Sequence, residues 1–214
     1  QTRVHDVTTS GASMTLRYAP GESFVNSIQR RVPVSLDAPV FTLTHAMGFK
    51  GVLGGEYNFN RTEASIWKRF WLPASWGKID CSVKAGAEWN TVPFPLLILP
   101  EANLSYITQR ETFCLINNME FLNDRFASMS ISYDMNGKLF NRIPLLKNLK
   151  WREMFRVRAL WGTLTDKNNP FKSSNPDLFR FPTRDGKFTS FVMDPKVPYV
   201  EASVGIYNIF KLLH

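Results

Sequence analysis

The sequence predicts an all-β protein, specifically an antiparallel transmembrane β-barrel of the outer-membrane type. Apolar and polar residues alternate with a period of two, which indicates strands with one apolar face. The alternating segments reach about 9 to 13 residues, close to the roughly 9 to 11 that a tilted strand needs to cross a bilayer. Aromatic residues make up 14% of the chain, as expected if aromatic girdles mark both membrane interfaces.

Seven segments alternate in this way. The clearest is 78–89, because its apolar and polar residues alternate without an exception. Two weaker segments each carry one polar residue on the apolar face, His45 in the first and Lys68 in the second; Lys68 can extend to an interface if it lies near a strand end. In chain order the predicted strands cover 13–18, 41–50, 64–70, 78–89, 127–134, 155–162 and 200–207.

The composition is compatible with a barrel but not with a helical membrane protein. Of the 214 residues, 44% are hydrophobic and 21% are charged, and the mean hydropathy is −0.18. The longest apolar run, residues 94–100, is bracketed by prolines and is far shorter than the roughly 20 residues of a spanning helix. Barrel strands alternate between lipid and lumen, so their average hydropathy stays moderate.

Connections of two kinds separate the predicted strands. Short joins are predicted at 51–55, at 73–77 and at Asn136-Gly137, and long loops near 90–113 and 165–198. The second long loop is rich in Asn, Ser, Pro, Asp and Lys, which are loop-forming residues. Outer-membrane barrels carry short turns at one rim and long loops at the other. We therefore expect residues 1–214 to form part of one barrel domain, with the long loops extracellular.

A soluble extracellular β-sandwich that binds glycans through Trp and Phe is the alternative, because sandwich strands also alternate. The barrel is favoured since the segments exceed the usual strand of about 5 to 6 residues. The polar face mixes Lys, Asp, Glu and Arg with Ser and Gly, as in a wet lumen. The apolar face includes small residues such as Ala85 and Ala127, which fill a core poorly but can face lipid.

The net charge of +8 does not predict nucleic-acid binding. Basic residues are spread over the strands, whereas nucleic-acid interfaces cluster them on one face. Attraction to anionic lipid headgroups or sugars explains the charge equally well. Cys81 and Cys114 show no CxxC spacing and have no nearby histidine, so no zinc site is predicted; we interpret them as unpaired small hydrophobic residues, with a disulfide left open.

No catalytic chemistry is predicted. His5, His45 and His214 are far apart in the sequence, and Gly-x-Ser-x-Gly, His-Glu-x-x-His and phosphate-binding loops are absent. We therefore predict no catalytic residue, no cofactor and no metal. A barrel-borne hydrolase, the third hypothesis, would need one of these histidines beside a Ser or Asp at a rim.

Charged residues near the strand ends are the candidate functional residues. Glu120, Asp124 and Arg125 form the densest charged cluster, either a latch or binding ring in the lumen or a solvated interface cluster. Glu101 and Asn103 lie either at the tip of an inward loop or in an ordinary loop cap.

Two arginines complete the set of candidates. Arg156 and Arg158 share the polar face of one predicted strand, about 7 Å apart along it. We expect acids such as Glu120 or Asp124 to neutralise them.

Several phrases of the sequence resemble a known family. They include RYAPGE at 17–22 and EFLNDR at 120–125, and the others lie at 39–43, 94–97, 101–105, 139–147 with 152–153, and 205–211. Together they resemble the C-terminal half of a Bacteroidetes outer-membrane family, which places a carboxypeptidase-regulatory-like domain before a long domain of unknown function. The resemblance implies a partial barrel, with further strands on both sides of the chain and no peptidase activity.

A more distant likeness is to assembly barrels of the BamA/TamA type, in which a long loop tucks back into the lumen. Residues 93–106 would be that loop, although the Arg-Gly-Phe/Tyr tip of that superfamily is absent. We expect a bacterial outer-membrane barrel with a transport, assembly or scaffold role. Its expected partners are outer-membrane lipid and, by analogy, other outer-membrane proteins or lipoproteins.

Overall fold

Seven long strands form a single antiparallel sheet in the computed structural model, which describes residues 7–26, 31–34, 37–105, 109, 112–175 and 178–209. The all-β prediction is confirmed, and every segment predicted from alternation lies largely or wholly within one of these strands. His5 and His214 lie outside the described residues. The strands are β1 (Gly11–Tyr18), β2 (Phe24–Asn26), β3 (Arg31–Pro33), β4 (Val40–Gly48), β5 (Phe59–Trp71), β6 (Lys78–Glu88), β7 (Arg125–Asp134), β8 (Arg152–Thr163), β9 (Thr183–Arg184), β10 (Lys187–Phe188) and β11 (Tyr199–Tyr207).

The sheet is an up-and-down meander with the order β1-β4-β5-β6-β7-β8-β11. The short hairpins β2–β3 and β9–β10 belong to the connections that precede β4 and β11. Among the described residues, β1 and β11 each pair along one side only, so this sheet has two open edges and does not close on itself.

In the residues that the structure describes, helical structure is confined to four short pieces of the connections. The α-helix α1 covers Pro144–Lys147, and 3-10 turns cover Phe94–Leu96, Phe140–Arg142 and Asp166–Asn168. No helix in the described part of the chain has the length and apolarity that crossing a membrane requires.

The two faces of the sheet differ sharply in chemistry. Strand pairing is in register, so that apolar residues of all the strands fall into rows on one face. Many of these side chains are exposed, including Val83 at 46% and Val204 at 72%. The row across the middle of the sheet consists of Tyr18, Phe41, Ile66, Val83, Met129, Ala159 and Val200.

His45 and Lys68, the two polar residues that alternation in the sequence predicts on this face, have partners near the sheet ends. The Nδ1 of His45 lies 2.9 Å from Oγ1 of Thr62. Lys68 extends to the 19–39 connection, where its Nζ donates to the carbonyl oxygen of Asp37 at 2.6 Å. Each of these two polar side chains therefore has a hydrogen-bond partner.

The buried core lies on the other face of the sheet, beneath the connections. One cluster contains Val92, Leu97, Leu122, Leu164 and Phe181. A second cluster packs Leu160 of β8 against connection residues. The described connections thus fold over the polar face, and many side chains of the apolar face stay exposed.

A glycine admits an aromatic ring at the edge of this core. Gly86 pairs with Phe126 across β6 and β7, and a Cβ at Gly86 would lie 2.5 Å from Cε1 of that ring. Such aromatic cover of a strand glycine fixes the strand register.

The distribution of connections corrects one sequence prediction. Residues 49–58, 89–124 and 164–198 join strands at one end of the sheet, here called the loop rim, and 19–39, 72–77 and 135–151 at the other, the turn rim. The short join at 51–55 therefore shares its rim with the two long connections. Asn136-Gly137 does not form a two-residue hairpin, because it only begins the longer connection 135–151, which carries α1.

Candidate functional site

A cavity of about 670 Å³ lies on the polar face of the sheet. Its described lining includes three acidic side chains, Asp80, Glu101 and Asp134, and four serines. The cationic side chains outnumber the acidic ones. They are Arg69, Lys78, Lys84, Arg152, Arg156 and Arg158.

Strand register orders this lining into columns. On β7, Ser130 and Ser132 stand opposite Arg158 and Arg156 of β8. On the other side of the serines, Arg69 of β5 forms a bidentate pair with Asp80 of β6, with Nε–Oδ1 at 2.6 Å and Nη2–Oδ2 at 2.9 Å. The two serines of β7 therefore lie between the Arg69–Asp80 ion pair on one side of the cavity and the two arginines of β8 on the other.

Arg158 has the most buried charge of this site. Its Nη1 donates to Oε1 of Glu201 at 2.8 Å, and both side chains are almost fully buried. Its Nη2 donates to the carbonyl oxygen of Gln109 at 3.3 Å. The sequence prediction that Glu120 or Asp124 neutralises Arg158 is wrong, because the acid comes from the neighbouring strand.

Glu201 attaches the 89–124 connection to the sheet. Its carboxylate accepts hydrogen bonds from the backbone amides of Cys114, at 3.0 and 3.1 Å, and of Leu115, at 3.2 Å. The Tyr199 hydroxyl donates to the same carboxylate at 3.3 Å. One carboxylate thus joins β8, β11 and the segment that lies over the cavity.

Asp124 forms a second attachment, at the loop rim. This fully buried carboxylate accepts hydrogen bonds from the backbone amide of Thr165 at 3.1 Å, from the Thr165 hydroxyl and from Nδ2 of Asn168 at 3.0 Å. Asn168 in turn accepts a hydrogen bond from the amide of Val92 at 2.9 Å. Asp124 and Asn168 therefore hold the two long connections together.

Glu88 provides a third attachment at the same rim. Its buried carboxylate accepts from the amides of Asn60 at 2.9 Å and of Asn90 at 3.2 Å, and it lies 3.6 Å from Nε of Arg61. Arg61 also donates to the carbonyl oxygen of Leu96. The start of the 89–124 connection is thereby fixed against β5.

The inward-loop candidates lie in this same connection. Glu101 reaches Lys84 of β6 at 2.7 Å and is part of the cavity lining. Asn103 is outside the cavity lining; its Nδ2 donates to the carbonyl oxygen of Ser105 at 3.1 Å, and its backbone amide to Phe113 at 2.8 Å.

The charged cluster predicted at 120–125 is separated in space. Glu120 accepts hydrogen bonds from the amide and the side chain of Asn117 within the loop. Asp124 is buried, whereas Arg125 is exposed and shares a row with Ala87 and Thr163 on the apolar face. The three residues form neither a ring nor a latch together, because strand alternation sends adjacent side chains to opposite faces.

Sequence reasoning missed Glu201, Glu88 and Asn168. The sequence showed Glu201 and Glu88 only as acidic positions on polar strand faces. Their partners are backbone amides of distant connections, up to 87 residues away, and nothing in local periodicity marks them. Asn168 gave no signal beyond loop composition.

The described residues offer no group of three or more His, Cys, Asp or Glu that could hold a metal ion. Cys81 and Cys114 are free thiols. Cys81 lies on the apolar face opposite Ile131, and Cys114 lies in the 89–124 connection. The site can bind polar or charged groups, and its hydrogen bonds can fix a loop over the sheet.

Comparison with known proteins gives one match. A model described as the C-terminal domain of a family of unknown function, DUF5686, matches residues 3–171. No curated protein and no solved structure matches the chain.

Proposed function

We propose that this chain, which belongs to the DUF5686 family through that family's C-terminal domain, forms wall strands of an outer-membrane β-barrel. The barrel would have a transport or assembly role. The observation that carries this proposal is the exposed apolar face, which extends in register across all seven strands. Soluble proteins rarely expose continuous apolar patches of this extent, and such patches mark contacts with membranes or partners.

The dimensions of the apolar face suit a bilayer. On β6 and just beyond it, the apolar face runs from Ile79 to Trp89, a separation of roughly 34 Å at about 3.4 Å per residue. A tilt of about 40° reduces this to roughly 26 Å, close to the apolar band of about 25 Å in outer-membrane barrels. Aromatic residues stand at both ends, Trp89 towards the loop rim and Phe70 and Tyr133 towards the turn rim.

The opposite face supports a filled lumen. Its polar lining is what the interior of a transmembrane barrel contains. The 89–124 connection lies over this face and is attached through Glu201, Asp124 and Glu88. We infer that cargo or partner passage requires displacement of this connection, so the protein acts as a gated conduit or assembly scaffold.

A soluble β-sandwich is the weaker proposal. A sandwich buries the apolar faces of two sheets against each other. Here the described connections cover the polar face, and side chains of the apolar face such as Val83 and Val200 remain exposed. The arrangement is therefore the reverse of the one that a sandwich needs.

The outer membrane is the proposed location, and its lipid the first partner. Other outer-membrane proteins or lipoproteins would meet the chain at its rims. We propose no catalytic role and no nucleic-acid partner.

Fractionation of cells that produce the full-length protein tests this proposal. We expect it in the outer-membrane fraction, as a detergent-dependent band whose migration shifts on boiling, because closed barrels resist dodecyl sulfate until heated. A soluble protein with an unshifted band would refute the barrel and leave the binding-module hypothesis.

A further inference from the structure

The 135–151 connection is unusually apolar for a segment at the end of a sheet. Its exposed side chains include Leu139, Ile143, Leu149 and, at 85% exposure, Leu145. Isolated exposed apolar residues are ordinary on protein surfaces, but this connection exposes four within eleven residues.

The same connection is strongly basic. Lys138, Arg142, Lys147 and Lys150 lie within it, and it contains no Asp or Glu. None of these four cations forms an ion pair with a carboxylate in the described part of the chain. Their charge is therefore available to an external anionic partner.

Trp76 joins this connection to the neighbouring turn. The Nζ of Lys138 lies 5.1 Å and the Cζ of Arg142 lies 5.7 Å from its ring centroid. Lys138 also donates from Nζ to the carbonyl oxygen of Ala74 at 2.9 Å. Trp76 is itself 38% exposed, so an aromatic ring and two cations share one surface at the turn rim.

This surface continues the apolar face of the sheet. Phe70, near the end of that face, is exposed, and the hydroxyl of Tyr133 on the same face donates to the carbonyl oxygen of Trp76 at 3.1 Å. Tryptophan is enriched at the interface between lipid tails and headgroups, and segments that mix exposed apolar residues with Lys and Arg bind anionic membrane surfaces.

We propose that residues 135–151, together with Trp76, form a site for the headgroups of anionic phospholipids in the leaflet that meets the turn rim. This inference rests on the proposed barrel. A phospholipid fits better than an acidic protein because apolar and cationic side chains alternate along one short segment, so acyl chains and headgroups are contacted together. The site would anchor the turn rim at a fixed depth.

Lipid-specific quenching tests the site on the full-length protein. A fluorophore is attached at Asn148→Cys, in a background with Cys81→Ser and Cys114→Ser, and the protein is inserted into phosphatidylcholine vesicles. Doxyl-labelled phosphatidylglycerol should quench it more strongly than doxyl-labelled phosphatidylcholine. High salt should abolish the difference, since the attraction is electrostatic. Inorganic phosphate that replaces part of the salt at the original low ionic strength should not abolish it.

Two sets of four Lys or Arg to Gln replacements, one in the proposed site and one outside it, serve as test and control. Replacement of Lys138, Arg142, Lys147 and Lys150 by Gln should make quenching by the two lipids equal. The same replacement at four exposed cations of the loop-rim connection should leave the preference for phosphatidylglycerol intact. Those control positions are Lys172, Arg180, Arg184 and Lys187.

The outcomes separate the two proposals. Equal quenching by both lipids, in protein whose band still shifts on boiling, would overturn the lipid site and leave the barrel standing. Displacement of phosphatidylglycerol by poly-glutamate would assign the surface to an acidic protein and also overturn it. Failure to insert into any vesicle would refute the barrel, and the lipid site with it.

Discussion

Arg158 and Glu201 face each other across β8 and β11 and form an ion pair with almost no exposure to solvent. The pair also holds the 89–124 connection, since Glu201 accepts the amides of Cys114 and Leu115. The Glu201 carboxylate accepts from four groups in all: the Arg158 guanidinium, these two amides and the Tyr199 hydroxyl. Its removal should therefore affect both the buried arginine and the attached connection.

Glu201→Ala should destabilise the folded protein by about 3 to 5 kcal/mol, because it leaves the charge of Arg158 buried and unpaired. Urea titration of the protein folded into lipid vesicles measures this loss. Glu101→Gln is the matched control: it breaks the more exposed pair with Lys84 and should cost less than about 1 kcal/mol. Equal effects of the two substitutions would contradict the central role of Glu201.

Asp124→Ala should loosen the loop rim while leaving the sheet paired. The substitution removes the acceptor of Thr165 and Asn168, and each buried donor left unsatisfied costs about 1 to 3 kcal/mol. Limited proteolysis should then cut the 164–198 connection faster than in the native protein. Asp185→Asn, at the exposed β9–β10 turn, should leave the cleavage rate unchanged; a similar acceleration there would argue against the attachment.

Gly86→Ala should lower stability by about 1 to 3 kcal/mol, the usual range for overpacking. The added methyl group would meet the Phe126 ring. Gly205→Ala on the same face is the comparison, because its Cβ would lie 3.5 Å from the flexible end of Met154, an ordinary contact. Phe126→Leu should relieve the defect of Gly86→Ala in the double variant, and a double variant no more stable than Gly86→Ala would refute this packing explanation.

Val83→Arg tests the apolar face directly. Val83 lies in the middle row of that face, so a barrel should lose about 2 to 4 kcal/mol of folding free energy in lipid, as for cations at the bilayer midplane. Folding into vesicles at graded urea concentrations provides the measurement. Ser82→Arg places the same charge in the cavity and should lower the free energy of folding by less. A larger loss for Ser82→Arg than for Val83→Arg would indicate that the polar face contacts the membrane.

The strands were predictable because their periodicity is local. The β6 strand ends within one residue of its predicted segment, since every position from Lys78 to Glu88 obeys the alternation. The burial of Leu160, in contrast, does not follow from local periodicity. Leu160 is an apolar residue on the polar face, and its burial depends on Phe113 and Met193 of two separate connections.

The site was less predictable because its contacts join residues that are far apart in the sequence. Arg156 and Arg158 were placed on the correct face, because face follows from alternation alone. The acid that pairs with Arg158 depends on which strands are neighbours, and that order is a property of the sheet. Asp124 and Arg125 were expected to act together as sequence neighbours, but a strand directs them to opposite sides.

The meander also sets an order of assembly. Most of its strands pair with the strand just before them along the chain, so hairpins can form early and the sheet can extend one strand at a time. The bond from Cys114 to Glu201 spans 87 residues and must wait until β11 has docked on β8. Because closing longer loops costs more entropy, this bond forms late, and the last strand of the sheet secures a segment synthesised long before it.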